Sequence, residues 1–411
     1  MDVIVERAGG LDVHKRTVSA CMRLPDENGG RRQVRRTFKT FSADLTALAD
    51  WLAAEGVSEV AMEATGVFWK PVWAALEGKV PTIKLVNARH VRMVPGRKTD
   101  VADAAWLAQL CEAGLLRGSF IPPAPIRRLR DLTRYRKRLI QDRTREVQRV
   151  DKVLEDASIK LGSVASKTLG RSGRLMIDAL IDGERDPAVL ADLAIGKLND
   201  KNADLQRALV GEFDRHHAHL ARAHLRHIDE LTAMINDLDA RINTEIEPYA
   251  TARDHLMTIP GVGRITAEVI IAEIGVDMTV FPTAAHLAKW AGVCPGNNES
   301  GGKQRSGRTT PASPWLVDVL VQAAWAATHT KNTYLNAKFW RLARRVGKKR
   351  AAVAVAHSII VSVWHILASN VDYHDLGGDY FDQRCDTAHE TRRLVRRLEA
   401  LGNTVSITPT N

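Results

Sequence analysis

The sequence predicts a chain in three parts: an α/β domain, a middle of long helices, and a mainly helical C-terminal domain. Three observations carry this. Strand and helix signals alternate from the start to about residue 88, a Pro-rich break "IPPAP" falls at 121–125, and two long amphipathic helical stretches follow it. The expected boundaries are 1–125, 126–250, 251–370 and a polar, peripheral tail at 371–411.

The first part begins with a loop or short strand in "VIVERAGGLDVHK" that leads into a β-rich run through "TVSACMRL". "RRQVRRTFKTF" alternates polar and apolar residues, as a half-exposed strand does. "SADLTALADWLAAEG" reads as a helix capped by Ser42 and closed by Gly56. "VSEVAMEA" and "TIKLVNA" are short buried strands with the helical "VFWKPVWAALEG" between them, and "DVADAAWLAQLCEAGLL" is a helix. The order β-β-β-α-β-α-β-α fits a mixed sheet.

Beyond the break, "IRRLRDLTRYRKRLIQDRTREVQRVDKVLEDA" is a long helix rich in arginine and lysine, and a second spans roughly 212–247 with heptad-like apolar spacing. Together they read as a helical hairpin or coiled coil. Their basic face, with Arg127, Arg128, Arg130, Arg134, Lys137 and Arg138, is expected to hold nucleic acid. In "MTIPGVGRITAEVIIAEIG", Gly261 and Gly263 form a tight turn like half of a helix-hairpin-helix motif, which offers backbone N–H groups to phosphate; a plain structural turn reads nearly as well. The basic run "RLARRVGKKR" adds Lys348, Lys349 and Arg350. The histidines of "DRHHAHLARAHLRH" belong to a surface or RNA-facing helix rather than a metal site.

The formal net charge of +11 favours a polyanionic partner, since each cation near a phosphate releases counterions. The four cysteines form no CxxC pair, so no zinc site or disulfide framework is signalled. The start shows no signal-peptide pattern, and "AAVAVAHSIIVSVWHIL" reads as a buried helix rather than a membrane span. A cytoplasmic protein without a membrane partner is expected.

Four acidic residues stand out: Asp12 in "GLDVHK", Glu63 in "VAMEATG", and Asp100 and Asp103 three apart at a helix start. In an RNase H-like sheet the first strand, the fourth strand and a later helix converge at one end, so the four could cluster. Clustered carboxylates repel unless cations bind, and two Mg²⁺ ions would relieve that repulsion. Taken singly, each also serves as a strand end or a cap.

"GLDVHK", "AMEATGVFW" and "GRKTDVADAAWLAQL", with "AGVCPGNNESGGKQRSGRTTPASPWL" and "TYLNAKFWRLARRVGKKRAAVAVAHSII", resemble the DEDD transposases of bacterial insertion sequences, the IS-one-ten family. The resemblance runs through nearly the whole chain. It implies a RuvC-like, RNase H-like N-terminal domain joined through a coiled coil to a serine-bearing domain. It further implies an acidic tetrad at Asp12, Glu63, Asp100 and Asp103, which binds Mg²⁺, and an essential serine at Ser300. Members are understood as recombinases guided by a structured non-coding RNA that pairs with donor and target DNA, with dimers assembling into tetramers. One departure is "TTPASPW", which stands where the family has Gly-Asn.

On this reading Ser300 attacks the scissile phosphate and leaves a phosphoserine link and a free 3′ hydroxyl. Gly301 and Gly302 let backbone approach the phosphate, and Lys303, Arg305 and Arg308 offset its charge. Ser306 is the nearest competitor. The leading alternative is a RuvC-like, metal-dependent, structure-selective endonuclease acting by water hydrolysis. An ATP-binding sugar kinase would need a Gly-rich phosphate loop after the first strand, which "LDVHKRT" lacks. A non-catalytic DNA-binding protein would not need its carboxylates.

Overall fold

The computed structural model describes residues 2–27, 29–64, 66–88, 91, 103–296, 298–301, 303–384 and 387–408; the side chains of 298–300, 303–306, 382, 387, 389 and 390 lie outside the description. The chain divides into two compact units, Met1–Ile121 and Pro122–Asn411, within the "IPPAP" break.

The first unit is built on a five-stranded sheet in the order β3-β2-β1-β4-β5. The strands are β1 (Ala8–Val13), β2 (Thr17–Pro25), β3 (Arg31–Lys39), β4 (Glu59–Glu63) and β5 (Thr82–Val86). β1–β2 and β2–β3 are antiparallel, whereas β1–β4 and β4–β5 are parallel. Helices α1 (Ser42–Ala54) and α2 (Trp69–Leu76) cover one face, where Leu11, Leu48, Leu52, Val60, Met62 and Leu76 are fully buried. Helix α3 (Asp103–Glu112) covers the other, packing Leu107 and Leu110 on Ala8 and Ala61. The expected strand and helix order is observed. The expected Ser42 cap is not: Phe41 holds the N-cap position, no side chain caps it, and Ser42 is the first helical residue.

The second unit is mostly helical. The 33-residue α4 (Ala124–Asp156), about 50 Å long at 1.5 Å per residue, starts with Pro123 as N-cap and Pro125 in its first turn. Short helices follow, α5 (Arg171–Asp182) the longest of them, and then α6 (Arg215–Ile246), opened by a capping box between Asp214 and His217. α4 and α6 run antiparallel: Leu139 packs on Leu231 and Ile235, while Val150 and Leu154 share a core with Ala221 and Leu225. Arg136 pairs with Asp239 across them.

Glu146 on α4 is buried and takes hydrogen bonds or ion pairs from Arg149, His224 (2.8 Å) and His227 (3.3 Å). Burial opposes its ionisation, but the His224 hydrogen bond and the charge of Arg149 outweigh that and hold the carboxyl below its ordinary range. His224, partly buried, thus serves the helix pair, while His227, like His216 and His219, is exposed. A carboxyl depressed in the folded state stabilises at neutral pH, and the effect is lost as pH falls through its folded value. Glu146→Gln should lower stability by about 1–3 kcal/mol at pH 7, read from urea unfolding, and the gap from wild type should shrink in acid.

The remainder comprises α7 (Ala250–Met257), α8 (Arg264–Ile274), α9 (Ala284–Trp290), a hairpin of β6 (Asn298–Ser300) and β7 (Lys303–Ser306), α10 (Pro314–Ala327), α11 (Tyr334–Val346), α12 (Lys348–Ser369) and α13 (Thr387–Ala400). α12 is long and apolar enough to cross a membrane by length and composition. Within this unit it packs against α9, α10 and α11, burying Val355, Ile359, Ile360 and Val363.

The segment expected as a peripheral tail is tied in at its start. Asp372 accepts from His255 at 2.6 Å, and the Tyr373 amide donates to Thr258 Oγ1 at 2.8 Å. Asp375 accepts the first amide of α11, from Tyr334, and Tyr334 in turn meets the rings of Tyr380 and Phe381. Burial pushes the Tyr373 hydroxyl well above its ordinary range. Polar composition alone did not reveal these contacts.

Candidate functional site

Asp12 is the fifth residue of β1, and Glu63 is the last of β4. The parallel register pairs Gly10 with Ala61 and Leu11 with Met62, so the next step sets Asp12 beside Glu63. Gly10 and Ala61 face α3. Side chains alternate along a strand, so Asp12 and Glu63 face α3 as well. Asp103 opens α3, and its Oδ1 is closed off from solvent.

Two features hold α3 there. A β-carbon at Gly10 would overlap the carbonyl oxygen of Ala104 and the amide nitrogen of Ala108, so only glycine lets the helix backbone rest on β1. At the helix's other end, buried Glu112 accepts from Arg23 and from Arg31, each at 2.7 Å. The clamp thus fixes the helix whose first residue is Asp103. Sequence reading missed both Gly10 and Glu112; the signal was an acid inside an otherwise apolar helix.

Asp12 Oδ2 lies 2.9 Å from His14 Nε2, and the Asp12 side chain is partly exposed. Asp100 lies outside the described residues. Among the described residues no three His, Cys, Asp or Glu side chains close into a metal-sized group. Asp12 and Glu63 at one end of the sheet and Asp103 on α3 offer carboxylate oxygens, donors that would suit Mg²⁺ or Mn²⁺ rather than zinc.

In the second unit, Ser300 ends β6 opposite Lys303 of β7, with Gly301 in the left-handed region (φ 61°) at the turn. Ser306 pairs with Asn298, away from that turn. The open end of the hairpin is closed by a Pro295–Thr309 bridge and by the Gly296 amide donating to the Arg308 carbonyl at 2.7 Å. The expected roles of Lys303 and Arg305 concern side chains outside the description.

The "TTPASPW" departure has a structural use. Ser313 is the N-cap position of α10, and its hydroxyl donates to Glu273 Oε2 at 3.2 Å. Glu273, almost wholly buried on α8, also accepts a two-pronged contact from Arg134 at 2.7 and 2.8 Å. Arg130 donates to the carbonyl oxygens of Ala272 (3.0 Å) and Glu273 (2.5 Å), and its burial draws its pKa down to about 10. Arg130, largely buried, and Arg134, still about a third exposed, thus tie α8 to α4, a structural use beside the expected nucleic-acid role. Lys137 pairs with Asp318 at 2.6 Å, while Arg127 donates to the Pro122 carbonyl oxygen. Arg128 and Arg138 are exposed, and Arg138 lies over the Trp315 ring. Arg128→Ala should lower the salt slope of nucleic-acid binding by about 1. Arg130→Ala should leave that slope nearly unchanged and lower stability instead, as salt titration beside thermal melting would show.

Gly261 also has an internal reason. Its φ is +86°, and a β-carbon there would sit 2.6 Å from the Ala327 amide nitrogen, so it admits the end of α10. Gly263 precedes α8 in open space. Lys348 lies over the Trp340 ring, while Lys349 and Arg350 are exposed.

Comparison with known proteins defines the class. Residues 9–159 match a family model described as a transposase, of the DEDD type. Residues 253–341 match one described as transposase, IS116/IS110/IS902 family, and together the segments span more than half of the chain. The protein is a transposase, an enzyme acting on DNA. It belongs to the IS110 family of insertion-sequence transposases, whose DEDD character implies dependence on a divalent metal. A putative transposase, y4pF/y4sB, of Sinorhizobium fredii is 25% identical over 326 residues, covering 78% of this chain and 75% of the relative. A probable family 20 transposase of Pseudomonas aeruginosa is 26% identical over 322 residues, covering 76% and 85%. An uncharacterized IS110 insertion-element protein of Streptomyces coelicolor is 45% identical over 64 residues, covering 16% of this chain and 15% of the relative.

Proposed function

We propose that the chain is the recombinase of its insertion sequence and acts through a covalent bond to Ser300. The Ser300 hydroxyl attacks a backbone phosphorus: the Oγ–P bond forms, the bond from phosphorus to the 3′ oxygen breaks, and the serine proton is matched by one taken up at that oxygen. The linkage keeps the phosphodiester energy, so a new 3′ hydroxyl can reverse the step and join without ATP. Asp12, Glu63, Asp100 and Asp103 would hold the metal, which we assign as Mg²⁺, a pair of ions in the full site. When bound, Mg²⁺ would polarise the phosphate and stabilise the leaving oxygen. The observation that carries this reading is the register placing Asp12 beside Glu63 on the face that α3 covers, with Asp103 at that helix's start.

The net charge and the exposed cations of α4 support a backbone-holding role toward donor and target DNA and a structured guide RNA, with base pairing reading sequence. In this scheme residues 1–125 form the RuvC-like metal domain and 126–250 the nucleic-acid and assembly segment. The α4–α6 pair serves as the coiled coil of a dimer that assembles into a tetramer. Residues 251–370 form the serine-bearing domain. The enzyme works in the cytoplasm, at the nucleoid.

The test is metal dependence of strand breakage on the element's own flanking DNA. Chelation should abolish it and Mg²⁺ restore it, while Asp12→Asn and Glu63→Gln each reduce it by roughly 10²- to 10³-fold. Breakage indifferent to chelation and to both variants would overturn the assignment.

A further inference from the structure

Beside the open end of the Ser300 hairpin the second unit holds a recess of ≈ 540 Å³. Its interior is apolar, formed by Val293, Pro295, Val353 and Ala354. Lys338, Lys349 and Arg350 stand around it, and no carboxylate lines it among the described residues. Lys349 and Arg350 are exposed on the first turn of α12; Lys338 is half-buried, its Nζ donating to Ser358 Oγ at 2.5 Å.

We propose that this recess receives a single unstacked nucleotide of the DNA strand, its base against Val353 and Pro295 and its phosphate at Lys349 and Arg350. The combination selects the ligand. A free inorganic anion has no use for an apolar interior, and a purely apolar guest has none for three cations. A nucleotide has both parts, and the volume lies within the usual range for small-ligand sites, roughly 300–1,000 Å³. A base taken out of its stack loses dispersion contacts, which the valine, proline and alanine surfaces replace in part. His357 lines the same wall. Burial, and the neighbouring Lys338 charge, lower its pKa and favour a neutral ring able to accept or donate a hydrogen bond to a base edge.

The recess is distinct from the serine position. Pro295 and Thr309 close the hairpin at one end, and Ser300 lies at its other end, five residues along the strand from Pro295. The assignment to DNA rests on the proposed role of Ser300, because the strand held along this hairpin would be the one cut. The recess would grip that strand a short distance from the scissile phosphate and fix its register.

Ligand-observed NMR titration of the full-length protein with deoxyadenosine monophosphate, deoxyadenosine, inorganic phosphate and adenosine monophosphate tests this. The deoxynucleotide should bind at least tenfold more tightly than either the nucleoside or phosphate alone. Val353→Trp, which fills the recess, should weaken it at least tenfold. So should the double variant Lys349→Ala/Arg350→Ala, whose exposed sites leave the fold intact should the tryptophan disturb it. Ser300→Ala should bind the nucleotide as wild type does. Phosphate binding as tightly as the nucleotide, a tenfold preference for the ribonucleotide, or indifference to both pocket variants would overturn the proposal. Because binding is read without cleavage, failure here leaves the serine chemistry standing. Failure of the serine chemistry likewise leaves the binding result intact.

Discussion

Ser300→Ala is expected to abolish excision and rejoining of the element, a fall of at least about 10⁴-fold, while Ser306→Ala stays near wild type. The two serines share one hairpin, so the pair controls for loop composition and strand propensity. Ser300 adjoins the glycine turn opposite Lys303, whereas Ser306 faces Asn298 at the other end. Alanine fits an extended backbone, so the change removes the proposed nucleophile without backbone strain. No other group at the turn offers an equivalent hydroxyl: Gly301 and Gly302 have no side chains and Lys303 is cationic. Quantitative amplification of the excision junction checks the prediction. Loss of excision in Ser306→Ala with retention in Ser300→Ala would reassign the nucleophile.

Gly10→Val should disable the enzyme by another route. The valine β-carbon would meet backbone of α3 at Ala104 and Ala108, which cannot rotate aside as a side chain can. Overpacking at such a contact costs roughly 3 kcal/mol, about 10 °C in Tm for a unit of this size. Whatever folded enzyme remains would carry Asp103 displaced from the Asp12–Glu63 edge, and strand breakage should fall more than the folded fraction does. Gly9→Ala is the comparison: its β-carbon would meet the Val60 Cγ2 methyl at 2.9 Å, a side-chain end that can yield. Melting and activity in the order wild type, Gly9→Ala, Gly10→Val is the expected result. Equal melting of Gly10→Val and wild type would contradict the close approach of α3 to β1.

Much of the fold was legible because it is written in local periodicity. The strands, the two long helices and the break at 121–125 are each signalled within a dozen or so residues. The Asp12–Glu63 adjacency was legible too, as it needs only a parallel β1–β4 pairing. What was not legible depends on long-range partners. Arg130 and Arg134 read as part of a basic surface, and nothing local shows their ties to Glu273, more than 130 residues later. Gly261 reads as a phosphate-binding turn or a plain structural one, and nothing local shows that α10 presses on it. Residues 371–384 look peripheral because their anchors lie far off in sequence: His255 and Thr258 at the end of α7 and Tyr334 at the start of α11. Side-chain chemistry names the candidates, and packing decides which of them face the substrate.

The most direct measurement of the central claim is a denaturing gel for covalent protein–DNA adducts. The protein is expressed with its native flanking DNA as wild type, Ser300→Ala and Asp103→Asn. A slower, nuclease-sensitive band in wild type, absent from both variants, is the predicted result. Strand breaks without an adduct, unchanged in Ser300→Ala, would contradict serine attack and leave a nuclease that hydrolyses DNA with water.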